Sequence, residues 1–212
     1  MNDITELTHI IPPQQVRSAR FLMRVLEAAE RILRRDGAEG LTMPAVALEA
    51  GVSVGGIYRR FQTKQDLLRA IKDRHLNRSE QAMTAAMAAD QDSLEDVVQA
   101  FLATLTKGSG TGSLFGVIME NQAEDEVMKA RGSLCVERQA AAFAAALAPF
   151  RDRIRHPEPD VAVDMAFQIA IAVFMRRTKS EARSKLRAPW DQIRRELARA
   201  MVAYLTCPVA AD

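Results

Sequence analysis

Residues 42–68 read TMPAVALEAGVSVGGIYRRFQTKQDLL, and the order of helix-starting and helix-stopping residues in this stretch decides the fold. Thr42 is placed to cap a helix, because its hydroxyl reaches the free N–H groups of an opening turn. Pro44 falls inside that first turn, where a missing N–H does no harm. Val46, Ala47 and Ala50 recur at three- and four-residue spacing and form a small apolar face. Gly51 then supplies the positive φ that ends a helix without steric cost, and Val52 can fold back under it. Ser53 is a second cap, opening a helix through Ile57 and Tyr58 to about Phe61. Thr63, with Asp66 three residues on, has the spacing of a capping box for a third helix. Two short helices joined by a glycine turn of about three residues make a helix-turn-helix, whose second helix enters the DNA major groove.

The outer face of that second helix fits this reading. Ile57 and Phe61 are four apart and point inward. Ser53, Val54, Gly55, Gly56, Tyr58, Arg59 and Arg60 are left for the outside. Glycine costs about 1 kcal/mol relative to alanine in a helix. Two in succession are expected only where the backbone must approach another surface. Tyr58 and Arg59 offer a phenol and a planar donor fork, suited to phosphate oxygens or a guanine edge. Lys64, in the first turn of the next helix, opposes the helix dipole, a placement that a docked phosphate would make reasonable.

The run 51–68, GVSVGGIYRRFQTKQDLL, resembles the signature of the TetR/AcrR family of transcriptional regulators. The glycine turn, a short recognition helix ending in a Tyr-x-x-Phe pair and a lysine-led third helix come in that family's order. The resemblance covers roughly residues 17–72, with Gly56 standing where the family often has a side chain. It implies an all-α chain: a three-helix helix-turn-helix DNA-binding domain, then a larger helical ligand-binding and dimerisation domain. With the boundary placed inside the third helix near Arg74, these are residues 16–74 and 75–212, after a loose arm over 1–15. Also implied are a homodimer on a near-palindromic double-stranded operator and a transcriptional repressor released by a small-molecule effector. Thr42, Tyr58 and Lys64 are then the expected phosphate contacts, and Ser53, Val54, Gly55 and Arg59 face the groove. An effector-independent architectural or partner-regulated DNA-binding protein is the alternative.

A different motif overlaps this one. Gly51-Val52-Ser53-Val54-Gly55 matches G-x-S-x-G, the nucleophile elbow of α/β-hydrolases, which needs a buried strand before the serine. The residues before Gly51 are rich in Ala and Leu at helical spacing, and no β-rich segment exists to build the sheet. Ser53 is therefore read as a cap and not as a nucleophile, and the chain as not an enzyme.

Bulk properties agree. The 212 residues are 48% apolar and 26% charged, with 5% aromatics and a net charge of +2. Residues 1–72 hold 11 Lys and Arg against 8 Asp and Glu; the remainder holds 18 against 19. A weakly basic N-terminal part on a near-neutral body fits a DNA reader that contacts few phosphates per subunit. Cys135 and Cys207 give neither a disulfide framework nor metal spacing, so no metal or cofactor is expected. Without a signal peptide or an apolar run near 20 residues, the expected location is the cytoplasm, away from membranes.

Leu22, Val25, Leu26, Ala29, Ile32 and Leu33 follow the helical period from Val16 to Arg35, with Gly37 as the stop. Arg17, Arg20 and Arg24 read as a solvated face. The helix from Lys64 is expected to run past Leu76 toward Ala89 as a lever between domains, and Ser93 with Asp96 to open another. KGSGTGSLFG (107–116) reads as a flexible loop, and 114–121 and 125–150 as two helices. The segment 161–175, VAVDMAFQIAIAVFM, is apolar nearly all round and is expected to be covered on both sides. Trp190, Ile193, Leu197, Ala200, Met201 and Tyr204 stripe a terminal helix, and with 161–175 predict a four-helix dimer bundle. Phe101, Phe115, Met119, Phe143, Phe167, Gln168 and Phe174 are the expected lining of an apolar ligand pocket.

Overall fold

The computed structural model describes residues 16–107, 114, 116, 126–180 and 188–208. The expected arm over 1–15, most of the glycine-rich loop, Phe115, Met119 and most of the helix over 114–121 lie outside them. The described elements are α1 (Val16–Gly40), α2 (Met43–Ala50), α3 (Val54–Tyr58), α4 (Lys64–Met87), α5 (Leu94–Leu105), α6 (Glu126–Leu147), a 3-10 helix (Ala148–Arg153), α7 (Pro159–Ser180) and α8 (Trp190–Thr206). No strand occurs among the described residues, so the fold is all-α.

Two compact units divide the chain. The first holds the described residues up to Arg78 with those between Gly112 and Gly132; the second runs over Ser79–Thr111 and Ser133–Asp212. The division in α4 thus falls after Arg78, four residues beyond Arg74, and the first unit also takes the opening of α6.

The core of the first unit is the apolar stripe of α1. Leu22, Val25, Leu26, Ala29, Ile32 and Leu33 are all buried, packed with Val46 and Ala47 of α2, Ile57 of α3, Phe61 and Leu67, Ala70 and Ile71 of α4. Burying each such aliphatic side chain contributes about 1.5–3 kcal/mol. Gly37, at φ 67°, breaks α1 where the sequence places the stop, and three further residues complete the element. The Thr63–Asp66 capping box is formed: the Asp66 N–H donates to Thr63 Oγ1 at 3.1 Å, and the Thr63 N–H to Asp66 Oδ2 at 2.9 Å.

Behind this core lies a buried ionic cluster. Asp73 and Arg74 of α4 are each only 1% exposed. Arg74 approaches Glu30 at 3.4 Å and Glu27 at 3.6 Å on α1. Arg131, in the first half of α6, donates from Nε to Asp73 Oδ1 at 3.0 Å and from its terminal nitrogen to Asn77 Oδ1. Buried charges persist only when paired, since removing one partner costs about 3–5 kcal/mol.

In the second unit Phe101, Phe143 and Phe167 meet ring against ring, with centroids 4.5, 5.6 and 6.2 Å apart. Val97, Val98 and Leu102 of α5, Leu147 of α6, Ala166 and Ala170 of α7 and Ala198, Met201 and Leu205 of α8 close around them. Ser93 caps α5 through the Asp96 N–H at 3.1 Å. One expectation changes here. The helix over 125–150 ends at Leu147 and tightens into a 3-10 turn at Pro149, whose missing N–H interrupts the α ladder. Within one subunit α7 leaves Val161, Met165 and Ile169, four residues apart, exposed, the side that the sequence reading assigns to a partner subunit.

Phe143→Ala should lower unfolding free energy by about 3–5 kcal/mol, the range for aromatic truncation in a close-packed core; denaturant unfolding of the full chain measures it, and a loss under 1 kcal/mol would contradict this packing. His75 supplies a pH test. Burial first, then the cations Arg34 and Arg78, lower its pKa from 6.5 to about 4. The depressed folded value means that protons bind the unfolded chain preferentially. Its contribution is therefore complete above pH 6.5 and is lost as pH falls toward 4, by roughly 3 kcal/mol at most. Stability measured over that window should decline less steeply in His75→Gln than in the parent chain; parallel curves would exclude the assignment.

Candidate nucleic-acid interface

The helix-turn-helix is assembled from local signals that the structure realises one by one. Thr42 Oγ1 accepts from the Ala45 N–H at 3.2 Å, capping α2. Ser53 Oγ accepts from the Gly56 N–H at 3.1 Å, capping α3. Both hydroxyls keep their own proton, so each can still donate outward. Gly51 sits at φ 61°, ψ 44°, in the left-handed region, and its N–H returns to Leu48 O at 3.1 Å while Val52 N–H reaches Ala47 O at 3.0 Å. That double closure satisfies the last carbonyls of α2.

Arg24 completes the turn from a distance. Its guanidinium donates to Ala50 O at 2.6 Å and Gly51 O at 2.9 Å. Expected on a solvated face, Arg24 is exposed but tied across 26 residues to the C-terminus of α2, where a cation also meets the negative end of the helix dipole. On the other side of the turn, Arg31 Nε donates to Glu49 Oε1 at 2.9 Å, and this hydrogen bond holds the Glu49 carboxyl below its usual range.

The outer surface of α3 presents Val54 at 37% exposure and Tyr58 at 49%, with Ser53, Gly55 and Arg59 exposed beside them. The groove-facing set therefore shares one surface with Tyr58. Ile57 and Phe61 are fully buried beneath it. Gly56 belongs to the inner set, a correction to its outward placement. A Cβ there would lie 3.0 Å from Ser53 Oγ and 3.2 and 3.3 Å from ring carbons of Phe21, whereas one at Gly55 would meet nothing within 4 Å. Gly56 is thus a packing position against α1, and Gly55 alone lies open on the outer face.

Lys64 is exposed, and its ammonium donates to Ala38 O at 2.6 Å. This bond ties α4 to the end of α1 and accounts for a cation in a first turn without any phosphate. The ammonium has two further donors. Arg24 and the Lys64–Ala38 bond escaped sequence reasoning because both partners of each lie 26 residues apart; their only local signal is a cation near an apolar stripe.

Of the residues expected to line a ligand pocket, Phe101, Phe143 and Phe167 fill the second unit's core against one another, and Phe174 packs on Trp190 at 5.9 Å. Gln168 is exposed on α7. Among the described residues no cluster of three or more His, Cys, Asp or Glu could hold a metal ion, and no helix is long and apolar enough to cross a membrane.

One comparison with known proteins falls on the same region. The family model described as bacterial regulatory proteins, tetR family, matches residues 25–71. An HTH-type transcriptional regulator of Staphylococcus aureus (strain bovine RF122 / ET3-1) is 35% identical over 54 residues, 26% of this chain and 29% of that protein's length. Among solved structures, one described as a TetR-family transcriptional regulator from Mesorhizobium loti MAFF303099 gives a TM-score of 0.72 at 18% identity, over 90% of this chain and 98% of that one. NalD of Pseudomonas aeruginosa, the secondary repressor of the MexAB-OprM multidrug efflux pump, gives 0.64 at 19% identity over 91% and 99%. FadR of Bacillus subtilis, solved with stearoyl-CoA, gives 0.62 at 13% identity over 86% and 98%. At these identities the structural likeness is one of fold. The matched segment spans the helix-turn-helix itself, so residues 25–71 are similar to the tetR family of bacterial regulatory proteins.

Proposed function

We propose that this chain is a sequence-specific DNA-binding transcriptional regulator, acting as a homodimeric repressor that a small-molecule effector releases. The observation that carries the DNA-binding part is the division of labour on α3: Gly56 and Ile57 are turned inward, while Val54, Gly55, Tyr58 and Arg59 are left on one open surface. In the complex α3 lies in the major groove. Ser53, Val54, Gly55 and Arg59 face base edges, and Thr42, Tyr58 and Lys64 hold phosphates on either side. Lys64 does so with the ammonium protons that its bond to Ala38 O leaves over.

Two subunits place two such helices about 34–36 Å apart, one turn of DNA, or a multiple of it, on a near-palindromic operator. The dimer face is α7, whose exposed Val161, Met165 and Ile169 form a stripe that gains from burial against a second copy, together with α8. The effector part is supported by NalD and FadR, the one a repressor and the other solved with an acyl-CoA. Binding in the second unit changes the separation of the two α3 helices, and linkage then requires DNA to weaken effector binding by the same factor. The chain carries out this regulation in the cytoplasm and catalyses no reaction.

Sequence selection from a random DNA pool, followed by affinity against salt concentration, tests the regulator reading: a palindromic motif is expected, and no enrichment would defeat it. On that motif, Tyr58→Phe and Lys64→Ala should weaken binding to all sequences alike. Lys64→Ala should also reduce the slope of log affinity against log salt by about one unit, as loss of one phosphate contact requires. Unchanged affinity in both variants would remove these residues from the contact set. Met165→Glu should convert a dimer to a monomer in sedimentation velocity while leaving helical content intact; a persistent dimer would move the interface elsewhere.

A further inference from the structure

Alanine is too short to reach a neighbouring helix, and α6 sets several on one side. Ala140, Ala141 and Ala144 of α6, with Ala148 at the start of the 3-10 helix, face Val163 and Phe167 of α7 across a groove of about 330 Å³ that Leu147 and Ile154 help to floor. Phe143 of α6 is turned into the core on the adjacent face. That volume is at the lower end for small-molecule sites. The groove is separate from the phenylalanine cluster, sharing only Phe167 with it.

Three charged residues stand at its edge: Arg151, Asp160 and Asp164. Arg151 and Asp160 form a two-bond pair, with Nη2 to Oδ2 at 3.0 Å, which holds the Asp160 carboxyl low and the Arg151 guanidinium high. Their charges cancel. Asp164, one helical turn further along α7, has no hydrogen bond or ion pair among the described residues. The groove therefore combines an apolar floor with one uncompensated negative charge at its margin.

We infer that this α6–α7 groove is a binding site for a small organic ammonium ion, its apolar body on the alanine floor and its N–H groups donating to Asp164. A fatty-acid-like anion would meet Asp164 without a counter-charge, because Arg151 is already engaged. A neutral molecule of the same shape would keep the floor contacts and lose the ionic one. Occupation of this groove as the effector event rests on the reading of the chain as an effector-released regulator; occupation by itself does not.

The experiment is titration calorimetry on the full chain without DNA, using 4-phenylbutylamine, 4-phenylbutanol and 4-phenylbutyrate as probes. The amine should bind with measurable heat, the alcohol more weakly, and the carboxylate least. Asp164→Asn should weaken the amine about fivefold, the upper range for a solvent-accessible ion pair, and leave the alcohol unchanged. Ala144→Leu, a substitution at an exposed floor position, should abolish binding of all three by filling the groove. Equal affinity for the three probes, an amine affinity indifferent to Asp164→Asn, or binding that survives Ala144→Leu would each overturn the site. So would sedimentation showing that Ala144→Leu dissociates the dimer, because the groove would then be occupied by the second copy. DNA binding is followed separately. Amine binding with no effect on operator affinity leaves the site standing and removes its effector role, and loss of operator binding in the parent chain strikes the regulator reading alone.

Discussion

The left-handed turn at Gly51 is the constraint on which the helix-turn-helix unit depends. Only a residue without a Cβ takes φ near 60° there at no cost, and the space a Cβ would need is already filled by Arg24, 2.8 Å away. Backbone geometry is what selects glycine, since the Arg24 guanidinium is the far end of a flexible side chain and can shift. The turn fixes the angle between α2 and α3, and that angle decides which side of α3 is buried. With Ile57 and Gly56 held against α1, Tyr58 and Arg59 have nowhere to go but outward. An isolated helix as short as α3, with two glycines, would be unstable in water. Its order is supplied by the Ser53 cap and by packing on Phe21 and Phe61 rather than by its own propensity.

A second constraint is the charge buried behind that unit. Asp73 and Arg74 are adjacent on α4 yet serve different helices, Asp73 pairing with Arg131 on α6 and Arg74 with Glu30 on α1. Hydrophobic packing tolerates small slips, whereas a buried carboxylate and guanidinium tolerate few, since each must keep its partner. The opening turns of α6 are therefore held to a definite register on α4.

What could be read from the sequence was whatever is written within one or two helical turns. The period from Leu22 to Leu33, the caps at Thr42, Ser53 and Ser93, the stop at Gly51 and the Thr63–Asp66 box are all local, and each is present. Interactions between residues far apart in the chain were not readable. Gly55 and Gly56 are identical letters, and only the position of Phe21, more than thirty residues earlier, makes one a packing site and the other an open one. Arg24 and Lys64 looked like cations in need of solvent or phosphate because the carbonyls they bond belong to other helices. The same limit applies to the candidate ligand residues. Aromatic side chains are the natural guess for a pocket; three of these phenylalanines pack on one another in the core, and among the described residues a groove lies where alanines face α7. The apolar character of 161–175 was clear, but which of its faces stays outside depended on α6 and α8.

The contrast between the two glycines of α3 has a consequence for how such a protein changes over time. Gly55 is a vacant position on the outer surface: adding a side chain there disturbs no neighbour and, by improving helix propensity, strengthens the element that carries it. Recognition and fold are therefore separable at adjacent residues. A Cβ at 55 meets open space, while one at 56 requires Ser53 and the Phe21 ring to give by a few tenths of an ångström. Change on the outer surface thus has open space at one position and a tight neighbour at the next.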